Sequence, residues 1–503
     1  MFKSIQQAVK PHDKYQIEIK LDYGLQEASK TRYQVETYFF VPQNLGISAA
    51  TYSKADFYRD IQNYIRLKTP VLILRDFTES PTSPMRVIEE IIKQSNWVNE
   101  AQHLEPLITN FKLLSAMLKS SIRDHLNHMQ RRIDDATPNS NVHLIINHLV
   151  EEFLAETAKI SGKYGNLFPI FNLPSVDEQI FTAYMLTDES ISILIEEGLI
   201  DLFQIIDANL TGSAAKTFKR NLSKRVQQET EHRRTRGYPS LLNSTQENEK
   251  YLFRASVLKK YASSILYLSA DVQPEGRQLE HFAFAIAAGI SMVFATMMAF
   301  YFQQRFGNFT FSFFIALVIG YMFKDRIKEI VRSIFAKQLQ NILPDRRITI
   351  RTSNGKRLGI LKEKVRFIPE TQVPPRVRQI RNRDQFSELN NDGRGEHVIR
   401  HSKKVTLYND AFKQIYGEIP EITSINDIIR YDIRAYLNKM AEPVQIRHYL
   451  EDEQLHPVVC HKVYHLNLVS GYTTSHPQES RIHKRLRLVL NREGIKRIEH
   501  IPV

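Results

Sequence analysis

The sequence predicts a membrane α hairpin of two transmembrane helices. The hairpin joins a cytoplasmic α+β, mainly α-helical N-terminal region to a C-terminal α+β domain with an antiparallel sheet. Three observations lead to this fold class. Residues 282–302 are 21 residues without a charge, a histidine or a proline. Apolar residues recur at helical spacing from Met85 to Ser269, and β-prone runs lie near both ends of the chain.

Residues 1–77 are predicted to form a small α+β domain. From Tyr15 to Asp22 apolar and polar residues alternate, which is typical of a half-buried strand. A second β-prone run, Arg32 to Val41, follows a polar turn, so the two runs could pair as a hairpin. The proline-containing segment Ser80 to Pro84 then interrupts the chain.

Residues 85–270 are predicted to form a cytoplasmic helical bundle. Their apolar spacing indicates helices near 85–97, 104–134, 141–160, 176–186, 190–208, 213–233 and 246–269. Ser175 and Glu178 have the spacing of a capping box at the start of one of them. No internal repeat is visible, so a bundle is favoured over a solenoid.

Residues 280–323 are predicted to form the two-helix transmembrane hairpin. The first uncharged stretch, 282–302, would extend roughly 31 Å as a helix, which matches a hydrocarbon core of about 30 Å. The second, counted from Phe306 to Phe323, would extend roughly 27 Å. Small residues recur at every fourth position in both stretches, which favours close packing of the two helices.

The orientation follows from the charges beside the hairpin. Five Lys or Arg residues lie within 20 residues after Phe323, whereas the turn between the stretches contains only Arg305. Positive flanks predict that both termini are cytoplasmic. The chain is therefore predicted to be an integral protein of a bacterial inner (plasma) membrane, anchored through residues 282–323. Neither stretch contains an ionisable residue, which disfavours a transport path.

Two segments are predicted directly after the hairpin. Residues 324–343 form a juxtamembrane amphipathic helix that continues the second membrane helix, with an apolar stripe that includes Ile327, Ile330 and Ile334. Residues 346–410 form a basic β-hairpin region and a linker, with the linker at 369–403. Asn354-Gly355 between β-prone arms is the strongest hairpin signal in this part of the chain.

The basic segment suggests an anionic partner. The net charge of the chain is +13, and residues 346–383 contain twelve Lys or Arg against two Glu. We expect Arg376, Arg378, Arg381 and Arg383 to bind anionic lipid headgroups, because basic residues beside a membrane span are attracted to them. Nucleic acid is a less favoured partner, because the segment lacks the interleaved aromatic residues that stack on bases.

Residues 411–503 are predicted to form an α+β domain, with a helix at 425–440 followed by an antiparallel meander. The β-prone runs are 443–450, 457–469, 481–490 and 495–501. In the third run, His483, Arg485 and Arg487 share one face, which could bind an anion or form an ordinary solvated surface. Cys460 is expected on the opposite, apolar face as a buried residue.

One candidate metal site lies in the helical bundle. Asp124 and His128 are four residues apart, as are His148 and Glu152, so each pair shares a helix face. Together they could supply two carboxylates and two imidazoles to a metal ion. The alternative is an ordinary pair of helix surfaces, where such spacings arise often.

The function predicted from these features is coarse. The chain contains no P-loop, dinucleotide fingerprint, nucleophile elbow, HExxH or CxxC motif, and no cofactor is indicated. A membrane-anchored cytoplasmic-facing scaffold, sensor or binding protein is therefore the preferred hypothesis. The alternative is a membrane-tethered enzyme with a cytoplasmic and possibly metal-dependent active site. A protein partner or a homo-oligomer is compatible with both hypotheses.

Overall fold

The computed structural model describes most of the 503 residues. The described ranges are 6–26, 28–94, 97–98, 101–135, 142–210, 212–242, 248–307, 310–352, 354–383, 395–416, 424–474 and 482–503. All statements below concern these residues.

Fourteen strands are present in the described residues: β1 Gln6–Pro11, β2 Gln16–Gly24, β3 Lys30–Pro42, β4 Ile61–Leu67, β5 Ser269–Pro274, β6 Arg346–Arg351, β7 Arg357–Ile368, β8 Glu396–Tyr408, β9 Ser424–Asp432, β10 Val444–Glu451, β11 Gln454–His461, β12 Tyr464–Thr474, β13 Ile482–Asn491 and β14 Gly494–Ile501. The α-helices of the described residues are α1 Lys54–Arg59, α2 Asp76–Glu79, α3 Pro84–Ile92, α4 Leu104–Asp134, α5 Val142–Gly165, α6 Phe168–Phe171, α7 Glu178–Asn209, α8 Ser213–Thr235, α9 Glu249–Ser263, α10 Arg277–Phe306, α11 Phe311–Ile342, α12 Pro375–Arg381, α13 Asn409–Tyr416 and α14 Arg434–Leu437. The prediction of helices combined with antiparallel sheets is confirmed.

The chain divides into two compact units. Unit 1 comprises Met1–Ile65, Leu268–Gln414 and Ser424–Val503, and contains most of the strands together with α10 and α11. Unit 2 comprises Arg66–Tyr267 and Ile415–Thr423, and its core consists of helices. Unit 1 is thus assembled from segments that are distant in the sequence.

Unit 1 contains two large sheets. The strand order is β1-β2-β9-β4 in the first and β14-β13-β12-β3-β8-β7-β6-β5 in the second. Strand β2 pairs antiparallel with β9, and β3 pairs antiparallel with both β8 and β12. The N-terminal strands therefore lie in the middle of sheets whose other strands come mainly from the C-terminal half.

The two large sheets pack face to face. Alternate residues of β2 are buried, as the apolar-polar alternation of this strand requires. The ring of Tyr23 in β2 stacks on Tyr33 in β3 with centroids 5.3 Å apart, and Phe39 in β3 meets Tyr431 in β9 edge to face at 5.2 Å. Aromatic contacts between the sheets thus form the core of unit 1.

The other face of the eight-stranded sheet is also covered near its middle. Val377 and Ile380 of α12 pack against Tyr38 of β3 and Val469 of β12. Because both faces are covered here, the successive residues 38–41 of β3 are all buried.

Helix α7 forms the centre of unit 2. It contacts α4, α5, α8 and α9. Its N-terminus is capped by Asp177, whose carboxylate accepts a hydrogen bond from the backbone N–H of Gln179 at 2.7 Å. Gly198 lets α7 lie close to its neighbours, since a Cβ atom there would lie 2.7 Å from the Ile122 side chain. The predicted helices 176–186 and 190–208 are therefore one continuous central helix.

Helices α10 and α11 form an antiparallel hairpin within unit 1. A Cβ atom on Gly320 would lie 3.8 Å from the Cβ of Met298, and the guanidinium of Arg332 lies 4.2 Å from the centre of the Phe284 ring. Residue numbers fall along one helix as they rise along the other, so the register is antiparallel. As predicted, α11 continues without a break through residues 324–342.

Residues 1–77 do not form a domain of their own, contrary to the expectation. The runs expected to pair as a hairpin, β2 and β3, lie in different sheets. Their alternating pattern identifies a buried face of each strand but carries no information about its neighbours. By contrast, the predicted helical bundle at 85–270 lies largely within unit 2, and α4 has the predicted bounds 104–134.

The C-terminal region differs from the prediction in two elements. The expected helix at 425–440 is instead strand β9 followed by the short helix α14. Ile425, Ile428 and Ile429 have helical spacing, but β9 is buried on both faces, and the spacing of apolar residues is uninformative in such a strand. The expected linker at 369–403 contains α12 and the first part of β8.

The predicted run 457–469 is also divided. It comprises the end of β11, which belongs to a separate two-stranded sheet with β10, and the beginning of β12 in the large sheet. Cys460 lies in β11 and is exposed, so the expectation of a buried cysteine is wrong. The C-terminal region does contain an antiparallel meander, as predicted, and it consists of β12, β13 and β14.

Candidate membrane anchor and polar sites

Helix α10 carries a large exposed apolar surface. Among the described residues, one helix is long and apolar enough to cross a membrane. Its span, Gln278–Phe306, has 29 residues, and the apolar stretch of 18 residues within it has a mean hydropathy of 2.0 and is only 17% buried. Phe282, Met297 and Phe300 are each more than 60% exposed. Large exposed apolar surfaces of this kind mark contacts with a membrane or with another protein.

The second predicted span does not reach the same length. Helix α11 begins with the apolar residues 311–323, several of them exposed, but Lys324, Asp325 and Arg326 follow immediately. In the part of the chain that the structure describes, one helix therefore meets the requirement for a span, where the sequence predicts two. The helical hairpin itself is present.

The interface of this hairpin is formed by small residues. Ala283, Ala287 and Ser291 of α10 are 8%, 0% and 1% exposed. Gly320 of α11 is buried against Met298. The large apolar side chains consequently point outward. This arrangement is typical of helices that associate in lipid, where small residues allow close approach.

The register sets the uncharged length that both helices share. Lys324 lies level with approximately Val293, close to the middle of the uncharged stretch 282–302. From this level to Phe302, where the uncharged stretch ends, α10 has about 10 residues, or roughly 15 Å. From Phe311 to Lys324, α11 has about 13 residues, or roughly 20 Å. Both lengths are shorter than a hydrocarbon core of about 30 Å.

The predicted anion-binding arginines are divided between surface and core. Arg381 of α12 is 1% exposed and forms two hydrogen bonds with the carboxylate of Glu396, at 3.1 and 2.5 Å. Burial raises the pKa of Glu396 although Arg381 opposes this effect. Arg381 is therefore a structural partner of Glu396 and is too deeply buried to bind a lipid headgroup, contrary to the prediction.

The other three arginines of this set remain near the surface. Arg376 and Arg383 are exposed, and Arg378 is half-buried. Arg378 donates hydrogen bonds to the backbone carbonyls of Glu370 and Val373 at 3.0 and 3.4 Å. Arg376 and Arg383 are thus the members most available to an anion.

The second predicted anion surface does not exist as a solvated sheet face. Arg485 and Arg487 of β13 are 2% and 8% exposed, while His483 is half-buried. Arg485 donates hydrogen bonds of 3.0 Å to the carbonyl of Ile380 and to the side chain of Asn467. Burial lowers the pKa of Arg485 to about 10. Strand β13 lies close to the predicted run 481–490, but the sequence does not reveal that α12 covers this face.

The four candidate metal ligands do not assemble into a site. Asp124 pairs with the neighbouring Arg123 at 3.0 Å, and His128 and His148 are exposed. Within the described ranges, no three His, Cys, Asp or Glu side chains are placed to hold a metal ion. Glu152 is half-buried on α5. The alternative of two ordinary helix surfaces therefore describes Asp124, His128, His148 and Glu152 better than a metal site does.

The sequence prediction missed a buried charge cluster between the sheets of unit 1. It consists of Glu363 of β7, His401 and Lys403 of β8, Asp427 of β9 and Arg346 of β6, and each except Arg346 is at most 3% exposed. Lys403 Nζ pairs with Asp427 and lies 3.2 Å from Glu363, which Arg346 also contacts at 2.5 Å. The residues are distant in the sequence, so no local pattern could have identified them.

The cluster shifts the pKa values of its members strongly. Burial opposes ionisation of Glu363, but Lys403, His401 and Arg346 outweigh burial and lower its pKa to about 2. Burial lowers the pKa of His401 to about 4, so this imidazole is neutral at neutral pH. The carboxylates and cations thus neutralise one another inside the core.

Unit 2 has its own buried ion pairs along α7. Glu196 pairs with Arg233, which is 1% exposed, and Glu189 pairs with Arg254 at 2.6 Å. Asp188 accepts hydrogen bonds of 2.8 Å from both His232 and Tyr238. These pairs connect α7 to α8, α9 and the segment after α8.

The cavities near these clusters differ in size. Two cavities in unit 1 measure about 10 Å³ each, enough for one water molecule. A groove of about 330 Å³ in unit 2 is lined mainly by α7, together with Ile108 and Tyr261. Its walls are mostly apolar, and neither ion-pair cluster opens into it.

Comparison of the chain with known protein families, with curated proteins and with solved structures finds no match.

Proposed function

We propose that this protein is a membrane-anchored scaffold, sensor or binding protein, held by the α10–α11 hairpin with both folded units on the cytoplasmic side of the membrane. One observation carries the proposal: the apolar stretch of Gln278–Phe306 is only 17% buried. In water, exposed apolar surface costs about 25 cal/mol per Å². A lipid bilayer removes this cost and also favours the small-residue interface of the hairpin.

The shared uncharged length raises the question of how deeply the hairpin inserts. Full crossing would leave a mismatch of about 10–15 Å, which membranes accommodate by thinning or by snorkelling of Lys and Arg at fractions of a kcal/mol per Å. The total free-energy cost of this mismatch is a few kcal/mol. Partial insertion would place the connecting segment in hydrocarbon.

The connecting segment is poorly suited to hydrocarbon. It includes Gln303, Gln304 and Arg305, and its backbone belongs to two helix ends. A central arginine alone costs about 2.5–3.5 kcal/mol or more, and each unsatisfied backbone group adds several kcal/mol. Thinning is the smaller cost. We therefore propose that the hairpin crosses the membrane and that residues 303–307 emerge on the far side.

The charge distribution supports the cytoplasmic orientation. Lys324, Arg326 and Lys328 lie at the inner end of the shared uncharged segment, where anionic headgroups of the cytoplasmic leaflet would meet them. Arg376 and Arg383 are exposed and can add to this attraction. Each basic residue near the surface contributes about 1 kcal/mol.

A binding role fits the polar sites better than catalysis does. In the described residues, the charged clusters of both units are buried in mutual ion pairs, and the cavities of unit 1 admit about one water molecule. The enzyme alternative would require the groove in unit 2 to hold a substrate, and its walls bring Glu178 and Tyr261 together with mainly apolar residues. No further observation favours this alternative.

Membrane fractionation tests the proposal. The full chain should sediment with membranes and resist washing with high salt and with alkaline carbonate. A variant with Met297→Lys and Phe300→Lys should lose this resistance, because two exposed apolar side chains of α10 become charged. The matched control, Lys219→Met and Lys224→Met on α8, should keep it. Release of the unmodified chain by carbonate would refute the anchor.

A further inference from the structure

Strands β10 (Val444–Glu451) and β11 (Gln454–His461) of unit 1 form a β-hairpin arm. It forms a sheet of two strands only and pairs with no strand of the two larger sheets. Val444 lies opposite His461 at the base, and Glu451 lies opposite Gln454 at the tip. The arm is about 27 Å long, since each residue of an antiparallel strand adds about 3.4 Å.

The two faces of the arm differ in character. Residues directly opposite each other share a face, so the register assigns Val444, Ile446, His448, Leu450, Leu455, Pro457, Val459 and His461 to one face. Gln445, Arg447, Tyr449, Glu451, Gln454, His456, Val458 and Cys460 lie on the other. We call these the apolar face and the polar face of the arm.

The apolar face is exposed along its whole length. Ile446, Leu450, Leu455 and Val459 are 61%, 71%, 66% and 56% exposed. An isolated two-stranded hairpin is marginally stable in water, and it becomes stable when its apolar face is covered. A partner is therefore needed to explain a long, regular hairpin in this position.

The charges along the arm indicate what this partner is. The tip carries three successive acidic residues, Glu451, Asp452 and Glu453, of which the last two form the turn with positive φ. The base carries exposed Lys462 and Lys496, and Lys496 Nζ lies 3.2 Å from the ring of His461. An arm of this kind is complementary to a second arm that runs in the opposite direction.

We propose that the arm is a dimerisation element for two copies of this chain. The apolar faces of two arms pack antiparallel across a two-fold axis, so that the acidic tip of each lies beside the basic base of the other. Such an interface is isologous, because the same surface serves both copies. An anionic membrane suits the arm less well, because its three acidic tip residues would be repelled. The proposal does not depend on the membrane anchor.

Disulfide crosslinking tests the two-fold arrangement. In the full chain with Cys460→Ser, a cysteine at His448, near the middle of the apolar face, should approach its counterpart in the second copy. The matched control is a cysteine at Arg447, the next residue along the chain but on the polar face. In mild detergent and in vesicles, His448→Cys should form covalent dimers about tenfold faster or more, because facing thiols react at a raised effective concentration. Equal rates, or no dimer from either variant, would overturn the proposal.

Charge exchange tests the direction of packing. A chain with Glu451→Lys and Glu453→Lys should lose the crosslink at position 448, as should a chain with Lys462→Glu and Lys496→Glu. Mixing the two chains should restore the crosslink. In the mixed dimer, the lysine-substituted tip of one chain lies beside the glutamate-substituted base of the other. Failure to restore it would refute the antiparallel arrangement. If His448→Cys instead becomes shielded by lipid in vesicles without forming dimers, the arm binds the bilayer and the proposal is wrong.

Discussion

Helices α7 and α10 are nearly equal in length, 32 and 30 residues, and both are rich in apolar residues. They nevertheless bury opposite kinds of side chain. Helix α7 buries its large residues, such as Ile195, Leu199 and Leu202, which are all 0% exposed. Helix α10 buries the small Ala287 and Ser291, and it exposes its large residues.

The charges of the two helices differ in the same way. Helix α7 carries acidic residues on its buried surface, and Glu189 and Glu196 pair with Arg254 and Arg233 of neighbouring helices. The stretch 282–302 of α10 carries no charge. Apolar content alone therefore does not distinguish a core helix from a helix that exposes its large apolar side chains. The size of the buried residues and the placement of charges do distinguish α7 from α10.

The largest effect is expected from breaking an ion pair beside α7. Replacing Arg233 with Met leaves the carboxylate of Glu196 buried without its cation, which should lower the free energy of unfolding by about 3–5 kcal/mol. The neighbouring Arg234 is exposed and pairs with Glu231 at the surface. Arg234→Met should change stability by less than about 0.5 kcal/mol. Denaturant titration of the full chain in detergent measures both, and equal effects would contradict the assignment of Arg233 to the core.

Replacing a leucine with alanine should lower the free energy of unfolding by different amounts in the two helices. Leu202→Ala in α7 leaves a cavity and should cost about 2–5 kcal/mol. Leu279 in α10 is 52% exposed, so Leu279→Ala should cost less than about 0.5 kcal/mol in the same denaturation experiment. A large cost at Leu279 would show that α10 is packed against protein.

Replacing a small residue of α10 with a large one should be harmful only where that residue is buried against α11. Ala287→Leu inserts a large side chain between α10 and α11 and should weaken their packing by about 1–3 kcal/mol. Ala285 is exposed, so Ala285→Leu is the matched control. The readout is disulfide formation between cysteines placed at Met298 and Gly320 in the Cys460→Ser background, which should slow only with Ala287→Leu. Unchanged crosslinking would show that the buried small residues of α10 do not determine how the two helices pack.

The smallest effect concerns pH and the pair of His232 with Asp188. The hydrogen bond from His232 to Asp188 raises the imidazole pKa above its usual 6.5. The folded state then holds this proton more tightly than the unfolded state. The stabilisation is present below pH 6.5 and is lost as pH rises through the folded-state pKa.

Because the His232 side chain is 32% exposed, this contribution should not exceed about 1 kcal/mol. Denaturation midpoints between pH 5.5 and about 8.5 should fall slightly for the natural chain. Asp188→Asn should flatten this slope. A slope that survives the substitution must come from another group.

Local patterns in the sequence were sufficient where a local cause decides the structure. The spacing of apolar residues located α4, the Asn354-Gly355 turn located the β6–β7 hairpin, and the charge-free stretch located α10. In each case the deciding interactions lie within the element or its immediate flanks.

Long-range contacts decide the parts that were missed. Strand β9 resembles a helix in its spacing because both of its faces are buried, and Asp427 is tolerated there only because Lys403 of β8 reaches it. Arg381 and Arg485 resemble surface residues in the sequence, but α12 folds over the sheet and buries both. These contacts join residues more than twenty positions apart, so one sequence does not reveal them.

The most direct test of the membrane account is the labelling of single cysteines from each side of the membrane. Gln304 lies at the end of α10 and is exposed, and the native Cys460 is an exposed reporter in unit 1. A membrane-impermeant maleimide should label Gln304→Cys, in the Cys460→Ser background, only from outside intact cells. It should label the native Cys460 only in inside-out vesicles. Labelling of both positions from the same side would contradict a hairpin that crosses the membrane.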